Sequence, residues 1–183
     1  VLANYSMHYF GASAVSADYF GDFVRVLSKK IAGDDNAFVA MISNGTSGDL
    51  HWMDYTKPRK SIGRTQYAES VAAAAMRAYE RIEYHDWVKL KTAERRIKLK
   101  RRVPDEKRWA WAKQILDEMK SRAPSNQPEV YAREAKYLKE EPVRELKLQA
   151  ICIGDLGIAA IPNEAYSITG LKLKLRCPMP DMF

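Results

Sequence analysis

At its amino-terminal end the chain reads Val1-Leu2-Ala3-Asn4-Tyr5-Ser6-Met7-His8-Tyr9-Phe10-Gly11. Residues 1–8 are mostly apolar, which predicts a strand buried on both faces, and glycine and other small residues follow them. His8 therefore lies at the end of a strand, where α/β proteins usually carry their functional side chains. Two interpretations of this histidine are open: a functional imidazole, or a structural one held by hydrogen bonds.

The residues after His8 predict a βαβ unit. Ser16 or Asp18 can cap a helix whose apolar residues recur at helical spacing and which ends at Gly33. Residues 37–43 form a short apolar segment that predicts a second strand. Because a helix connects the two strands, they should be parallel, and their carboxyl ends should lie at the same edge.

The second strand leads into the loop Asn44-Gly45-Thr46-Ser47-Gly48-Asp49-Leu50-His51. Its two glycines permit positive φ angles and predict backbone N–H groups that converge on an anion or an oxyanion. The alternative is an ordinary tight turn with Asx-type hydrogen bonds. The expected position beside His8 favours the anion-binding interpretation.

The rest of the chain predicts an α/β fold: a layered, mixed β-sheet flanked by helices, with an inserted helical hairpin at about 104–141. The Gly154-Asp155 pair predicts the turn of a β-hairpin. An alanine-rich helix should pack closely on the sheet. The predicted segments are helix 65–82, strand 87–103, helices 104–122 and 129–141, strands 143–153 and 156–161, and helix 164–175.

The last of these helices follows Pro162-Asn163-Glu164. Asn163 can cap the helix, which would place the Glu164 carboxylate in its first turn, where the helix dipole favours the ionised form.

The net charge of +7 suggests a nucleic acid or an anionic membrane as a partner. Many of the positive charges fall between Lys89 and Arg108, where they alternate with apolar residues as on a solvated strand face. We therefore expect no nucleic-acid partner. Cys152 and Cys177, the two cysteines, lack metal-binding or redox spacing, and both free thiols and a disulfide are compatible with the sequence.

Four segments together resemble the neutral/alkaline, non-lysosomal ceramidase family. They are His8-Tyr9-Phe10-Gly11, Ser16-Ala17-Asp18-Tyr19-Phe20-Gly21, the loop 44–49, and Ile161-Pro162-Asn163-Glu164 leading into 168–173. The resemblance covers the chain from one end to the other in the same order. It implies a zinc-dependent amide hydrolase, in which metal-activated water attacks an N-acyl bond such as that of an N-acyl-sphingosine.

In that family two histidines, a glutamate and a tyrosine hold the zinc. The resemblance places His8 on the second histidine, and Glu164 on the glutamate of the family's Pro-Gly-Glu motif. It implies that the other two ligands lie before Val1 and after Phe183. The alternative for Glu164 is a structural carboxylate bonded to backbone N–H groups at a helix start.

The loop departs from the family's Gly-Asp-x-Ser pattern, because Gly48-Asp49-Leu50-His51 carries histidine in the place of the serine. Ser47 is the nearest hydroxyl. The candidate catalytic residues are therefore Ser47, Asp49 and His51, with His51 acting as a proton donor or an oxyanion partner.

The chain begins within an apolar strand without an initiator methionine and ends on the apolar tail 177–183. We therefore expect residues 1–183 to be a segment of a single, larger catalytic domain. The resemblance suggests a small-molecule or lipid amide as substrate and a secreted or extracytoplasmic location. It is also compatible with peripheral membrane contact. It predicts no oligomeric state.

Two hypotheses follow: a zinc-dependent amidohydrolase, or a non-catalytic binding or scaffold protein that keeps the same fold. The first requires the His8 ring and the Glu164 carboxylate to lie within about 8 Å of each other, since zinc ligands lie roughly 2 Å from the metal.

Overall fold

A computed structural model of the protein describes residues 1–11, 15–59 and 61–183. Of the helices in these ranges, none is both long and apolar enough to cross a membrane. The elements in chain order are β1 (Leu2–Tyr5), α1 (Asp18–Ala32), β2 (Met41–Asn44), α2 (Arg64–Tyr79), β3 (Leu90–Lys100), α3 (Glu106–Met119), α4 (Gln127–Glu140), β4 (Val143–Ile153), β5 (Leu156–Ala160), α5 (Ser167–Arg176) and β6 (Asp181–Met182).

The predicted α/β class is confirmed, with the strands divided between two sheets. One sheet holds β1 and β2, and the other has the order β3-β4-β5-β6. The chain forms two compact units: a first unit of Val1–Ala93 with Ala150–Phe183, and a second unit of Glu94–Gln149.

The predicted βαβ unit lies in the first unit. Strands β1 and β2 are parallel, in a register that pairs Leu2 with Met41 and Tyr5 with Asn44. Helix α1 runs between them and ends at Gly33, whose φ of 59° suits glycine. The parallel pairing places the loops after both strands at the same edge, as expected.

The prediction of a strand buried on both faces as far as His8 is wrong. Strand β1 ends at Tyr5, and Leu2 is exposed over 49% of its surface, although Met7 is buried. The physical reason is that side chains alternate along a strand: Ala3 packs against the core, whereas Leu2 points to the opposite, exposed face.

The core of the first unit forms mainly between two helices. Tyr19, Phe23 and Leu27 of α1 are fully buried and pack in one cluster with Ala68 and Ala72 of α2. The alanine-rich helix therefore packs closely on α1, whereas we predicted that it would pack on the sheet. Alanines allow this because they let two helix backbones approach each other.

The predicted hairpin between β4 and β5 is confirmed. Gly154 and Asp155 form its two-residue turn, and Gly154 has a φ of 57°. A turn of this length can join only antiparallel strands. Strand β6 lies parallel to β5, with Leu156 opposite Asp181 and Gly157 opposite Met182. We did not predict β6, which is only two residues long.

Helices α3 and α4 form the predicted helical hairpin within the second unit. They pack through Ala112, Ala132 and Ala135, which are buried, and Trp109 and Trp111 border this cluster as half-buried side chains. Both tryptophans therefore contribute to the packing of the hairpin.

The basic strand β3 is exposed along nearly its whole length, as a solvated face requires. Cys152 and Cys177 are free thiols and do not form the disulfide that the sequence also permitted.

Candidate active site

His8 and Glu164 meet in the first unit although they are far apart in the sequence. The Nδ1 atom of His8 lies 3.0 Å from Oε1 of Glu164, and the two side chains are 35% and 61% exposed. The expected convergence of these two groups is therefore confirmed. Their roles as metal ligands stay a prediction.

The backbone after His8 is fixed by Asp18, the first residue of α1. Its buried carboxylate accepts hydrogen bonds from the N–H groups of Phe10 (2.8 Å), Gly11 (2.9 Å) and Tyr19 (2.6 Å). Burial disfavours ionisation of Asp18, but these N–H donors outweigh it and hold the pKa of the carboxyl below its ordinary value. The chain leaving His8 is therefore held against the start of the helix.

Aromatic contacts hold the same segment from its other side. The Phe10 ring stacks on Trp52 with 4.8 Å between centroids, and it lies 5.8 Å from the ring of Tyr67 on α2. Together with the Asp18 carboxylate, these rings restrict how far the backbone around His8 can move.

The glycines of the loop 44–51 let its backbone lie close to Ser6 and to Glu164. A Cβ atom at Gly45 would lie 2.2 Å from Oγ of Ser6, and one at Gly48 would lie 2.7 Å from the carbonyl oxygen of Glu164. In the described part of the chain, positive φ occurs at other glycines and not at these two. Gly45 and Gly48 therefore do not use the positive φ angles that glycine permits.

The N–H groups of these two glycines are not available to the predicted anion site, and anion binding by the rest of the loop stays a prediction. The Gly45 N–H donates to the Tyr5 carbonyl (3.0 Å), and the Gly48 N–H donates to the Ala165 carbonyl (2.9 Å). Both donors are engaged by neighbouring backbone, so neither points at a substrate oxygen. Their effect is to join the loop to β1 and to the segment that carries Glu164.

Asp49 binds the beginning of α5. Its carboxylate accepts from the backbone N–H of Ser167 (2.6 Å) and from the Ser167 hydroxyl (3.1 Å). The N–H donor, followed by the hydroxyl, holds the pKa of Asp49 below its ordinary value, although some desolvation opposes this. An exposed carboxylate thus satisfies a helix start from a distant loop.

The predicted helix start at Asn163 and Glu164 is wrong. Helix α5 begins at Ser167, its N-cap position is Tyr166, and it receives no capping hydrogen bond from that side chain. Asp49 supplies the acceptor that we expected from Asn163, and Pro162 and Asn163 form a bend before the helix. Glu164 is therefore outside the helix, and the alternative of a carboxylate held at a helix start does not apply.

The other two candidate catalytic residues differ in their exposure to solvent. Ser47 is buried, with 3% of its surface exposed. His51 is exposed, and its ring centroid lies 5.6 Å from that of Trp52 and 6.2 Å from that of Tyr55. Within residues 1–11, 15–59 and 61–183, no hydrogen bond or ion pair joins Ser47 or His51 to the pair. Their catalytic roles stay predictions.

His8 and Glu164 could supply two of the ligands of a zinc ion. Two ligands at about 2 Å from a tetrahedral metal are separated by roughly 3.3 Å, close to the observed 3.0 Å. Neutral imidazole and carboxylate are ordinary zinc ligands. In the described part of the chain, no group of three or more His, Cys, Asp or Glu side chains could hold a metal ion. The described residues therefore offer two ligands, fewer than the three or four protein ligands of a usual zinc site.

A cavity of about 330 Å³ borders the loop 44–51 and Ser167. No pattern in the sequence predicts this cavity, because its lining comes from short segments that are distant along the chain. Gly170 belongs to this lining, and a Cβ atom there would lie 2.1 Å from Oγ1 of Thr46. The apolar part of the lining is Leu50, Ala159, Ile161, Leu171, Leu173, Met182 and Phe183.

No protein-family model, no curated protein and no solved structure matches this chain. The resemblance to the ceramidase family therefore depends on the four segments and on the geometry that joins His8 to Glu164.

Proposed function

We propose that this chain contributes part of the active site of a zinc-dependent amide hydrolase that resembles neutral ceramidase. The observation that carries the proposal is the 3.0 Å contact between His8 Nδ1 and Glu164 Oε1. Two residues that the resemblance marks as ligands of one metal lie side by side, and both are open to solvent. An arbitrary pair of residues from opposite ends of the chain has little reason to meet in this way.

His8 and Glu164 would hold the metal, and the resemblance implies further ligands outside this sequence. When bound, zinc would polarise the amide carbonyl and lower the pKa of its water to about 7. The chain's own residues orient the pair. Asp18 fixes the backbone after His8, and the contacts of Gly48 and Asp49 fix the segment of Glu164. Such fixed neighbours commonly set the geometry of metal ligands.

The cavity beside the loop supports a substrate with an apolar part. Its exposed lining is mainly apolar, with Lys174 as its charged residue, and the loop 44–51 joins it to the segment of Glu164, although neither His8 nor Glu164 lines it. Small-molecule sites are typically concave and mostly apolar, with a few polar groups that orient the ligand. An acyl or alkyl chain of a lipid amide would suit this lining.

A non-catalytic binding or scaffold protein is the competing function. In that case the His8–Glu164 contact would be a structural hydrogen bond or ion pair, and Ser47 and His51 would have no substrate to act on. The two functions differ in metal content and in turnover, which can be measured separately.

Zinc analysis and an N-acyl amidase assay on the full-length gene product test the proposal. Replacing His8 by alanine or Glu164 by glutamine should abolish both zinc content and turnover, because each removes one ligand. His85→Ala is the matched control, since His85 is an exposed histidine of the same unit. The 183-residue chain alone should bind zinc weakly, because two ligands leave a metal mostly hydrated.

Full zinc content and full activity in the His8→Ala protein would exclude the metal assignment. Stoichiometric zinc in the wild type without hydrolysis of any N-acyl substrate would instead favour the scaffold function. Circular dichroism of each variant shows whether a loss reflects the site or the fold.

A further inference from the structure

The positive charge of the protein is concentrated in the second unit. Residues 94–149 carry 16 Lys and Arg residues and 10 Asp and Glu residues, a net charge of +6, while the whole chain has +7. The first unit is therefore almost neutral although it is more than twice as long. A charge localised to this extent provides a field that attracts an anionic partner.

Part of this charge lies on a two-stranded ribbon, which we define as residues 94–103 with 143–149. Glu145 accepts a hydrogen bond from Arg96 (3.0 Å), and Glu94 lies 3.4 Å from Nζ of Lys147. Lys98 and Lys100 follow Arg96 on the same face of β3, because side chains alternate along a strand. Both are exposed, and in the described part of the chain no carboxylate lies within ion-pair distance of either.

The opposite face of β3 is apolar and basic at the same time. Arg95, Ile97 and Leu99 share it by alternation, and Leu99 is 47% exposed. Val103, just beyond the strand, is 43% exposed, and Val143 at the start of β4 is 47% exposed. Backbone pairing brings these residues to one end of the ribbon, where the Arg101 N–H donates to the Pro142 carbonyl (2.8 Å).

This combination suits a lipid surface better than a nucleic acid. Proteins that bind single strands stack bases on free aromatic rings. The ribbon, however, contains no aromatic residue, and on the helices of the same unit Arg108 covers the Trp111 ring at 3.9 Å and Lys139 covers the Trp109 ring at 4.5 Å. Exposed aliphatic side chains among lysines contribute little to phosphate contacts, whereas at a bilayer they enter the interface while the cations remain at the headgroups.

We propose that the ribbon binds the surface of an anionic lipid bilayer. Leu99 and Val103 enter the interfacial layer, Arg95 of the same face lies at the anionic headgroups, and Lys98 and Lys100 attract the bilayer from the opposite face. Because a ribbon is thin, lysines on one face still attract anionic headgroups that contact the other face, at a distance near the Debye length, about 8–10 Å. The proposal is independent of the hydrolase function, because it uses only residues of the second unit.

Cosedimentation of the full chain with large vesicles tests the proposal. The protein should bind vesicles of phosphatidylcholine mixed with phosphatidylserine, bind phosphatidylcholine alone much more weakly, and be released by salt. Replacing Arg95 by glutamine should weaken binding roughly fivefold, the effect of one cation at the surface, whereas replacing both Lys98 and Lys100 by glutamine should weaken it about threefold, because these lysines act across the ribbon. Leu99→Ser should weaken it further through loss of the apolar contact.

The matched control is the double substitution Lys29→Gln and Lys30→Gln, which removes the same charge from exposed positions of the first unit. It should leave binding within about twofold of the wild type. The double substitution Lys98→Arg and Lys100→Arg keeps both positive charges and should bind as tightly as the wild type. Equal losses in the two glutamine pairs, no binding to anionic vesicles, or tighter binding to single-stranded or duplex nucleic acid than to vesicles would each overturn the proposal.

Discussion

The two units of this chain use different means to form a folded structure. The first unit buries the large side chains Tyr19, Phe23 and Leu27 completely, and it brings backbone segments into direct contact around His8 and Glu164. The second unit buries mainly alanines between its two helices and carries nearly all of the net charge. The difference indicates that tight packing accompanies the candidate site, whereas the second unit presents a charged surface.

The comparison predicts unequal costs of removing an aromatic side chain from each unit. Phe23→Ala should lower the free energy of unfolding by about 3–5 kcal/mol, because a fully buried ring leaves a cavity. Trp109→Ala in the second unit should cost less, since Trp109 is only half-buried at the edge of its cluster. Urea unfolding of both variants measures the difference, and equal losses would show that the two cores are packed alike.

A smaller effect is expected from adding one methyl group at the site. Gly48→Ala would place a Cβ atom 2.7 Å from the Glu164 carbonyl oxygen, so this segment must shift, at about 1–3 kcal/mol. Gly63→Ala is the control, because a Cβ atom there meets nothing within 4 Å. Thermal unfolding gives the stability, and zinc content of the full-length gene product reports whether Glu164 moved. Unchanged values at Gly48 would mean that the close approach is unimportant.

The smallest effects should come from two carboxylates, one in each unit. The pKa of Asp49 is lowered by the Ser167 N–H, and Arg122 lowers the pKa of Glu129 to about 2. Since the folded pKa values lie below the ordinary ones, 3.8 and 4.5, each ionised group stabilises the protein above its ordinary pKa. That stability is lost as the pH falls through the folded value.

Asp49→Asn and Glu129→Gln should therefore each be less stable than the wild type near neutral pH, and their unfolding curves should meet that of the wild type in strong acid. Only Asp49→Asn should also reduce zinc content, because Asp49 holds the segment of Glu164. Thermal unfolding over a pH series measures both variants. A constant difference down to strong acid would show that the carboxylate charge is not involved.

Local patterns in the sequence predicted most elements of the fold. Helix α1 with its end at Gly33, the parallel β1–β2 pair, the Gly154-Asp155 turn and the α3–α4 hairpin all agree with the structure. Each depends on residues that are close along the chain, or on the rule that a helix joins parallel strands. The division into two sheets could not be predicted in this way, because it depends on which strand edges remain unpaired.

The parts of the site that depend on the residue type could be predicted. The parts whose structure depends on a residue distant along the chain could not. The meeting of His8 with Glu164 followed from the resemblance. The start of α5 did not follow from the sequence, because Asp49, a residue of a remote loop, supplies the acceptor that Asn163 was expected to supply. The roles of the loop glycines were misjudged for the same reason, since Ser6 and Glu164 lie beside them only in three dimensions.

The hydrogen bonds from Ser167 to Asp49 close a loop of 118 residues, and the second unit lies inside that loop. The chain entropy lost on closing a loop grows only with the logarithm of its length, by about 0.6 kcal/mol for each doubling. Without residues 94–149 the loop would be about half as long, so the second unit adds only about 0.6 kcal/mol to its closure. A lineage of such proteins could therefore gain, enlarge or lose this unit with almost no entropic penalty on assembling the site, which leaves its surface free to diversify.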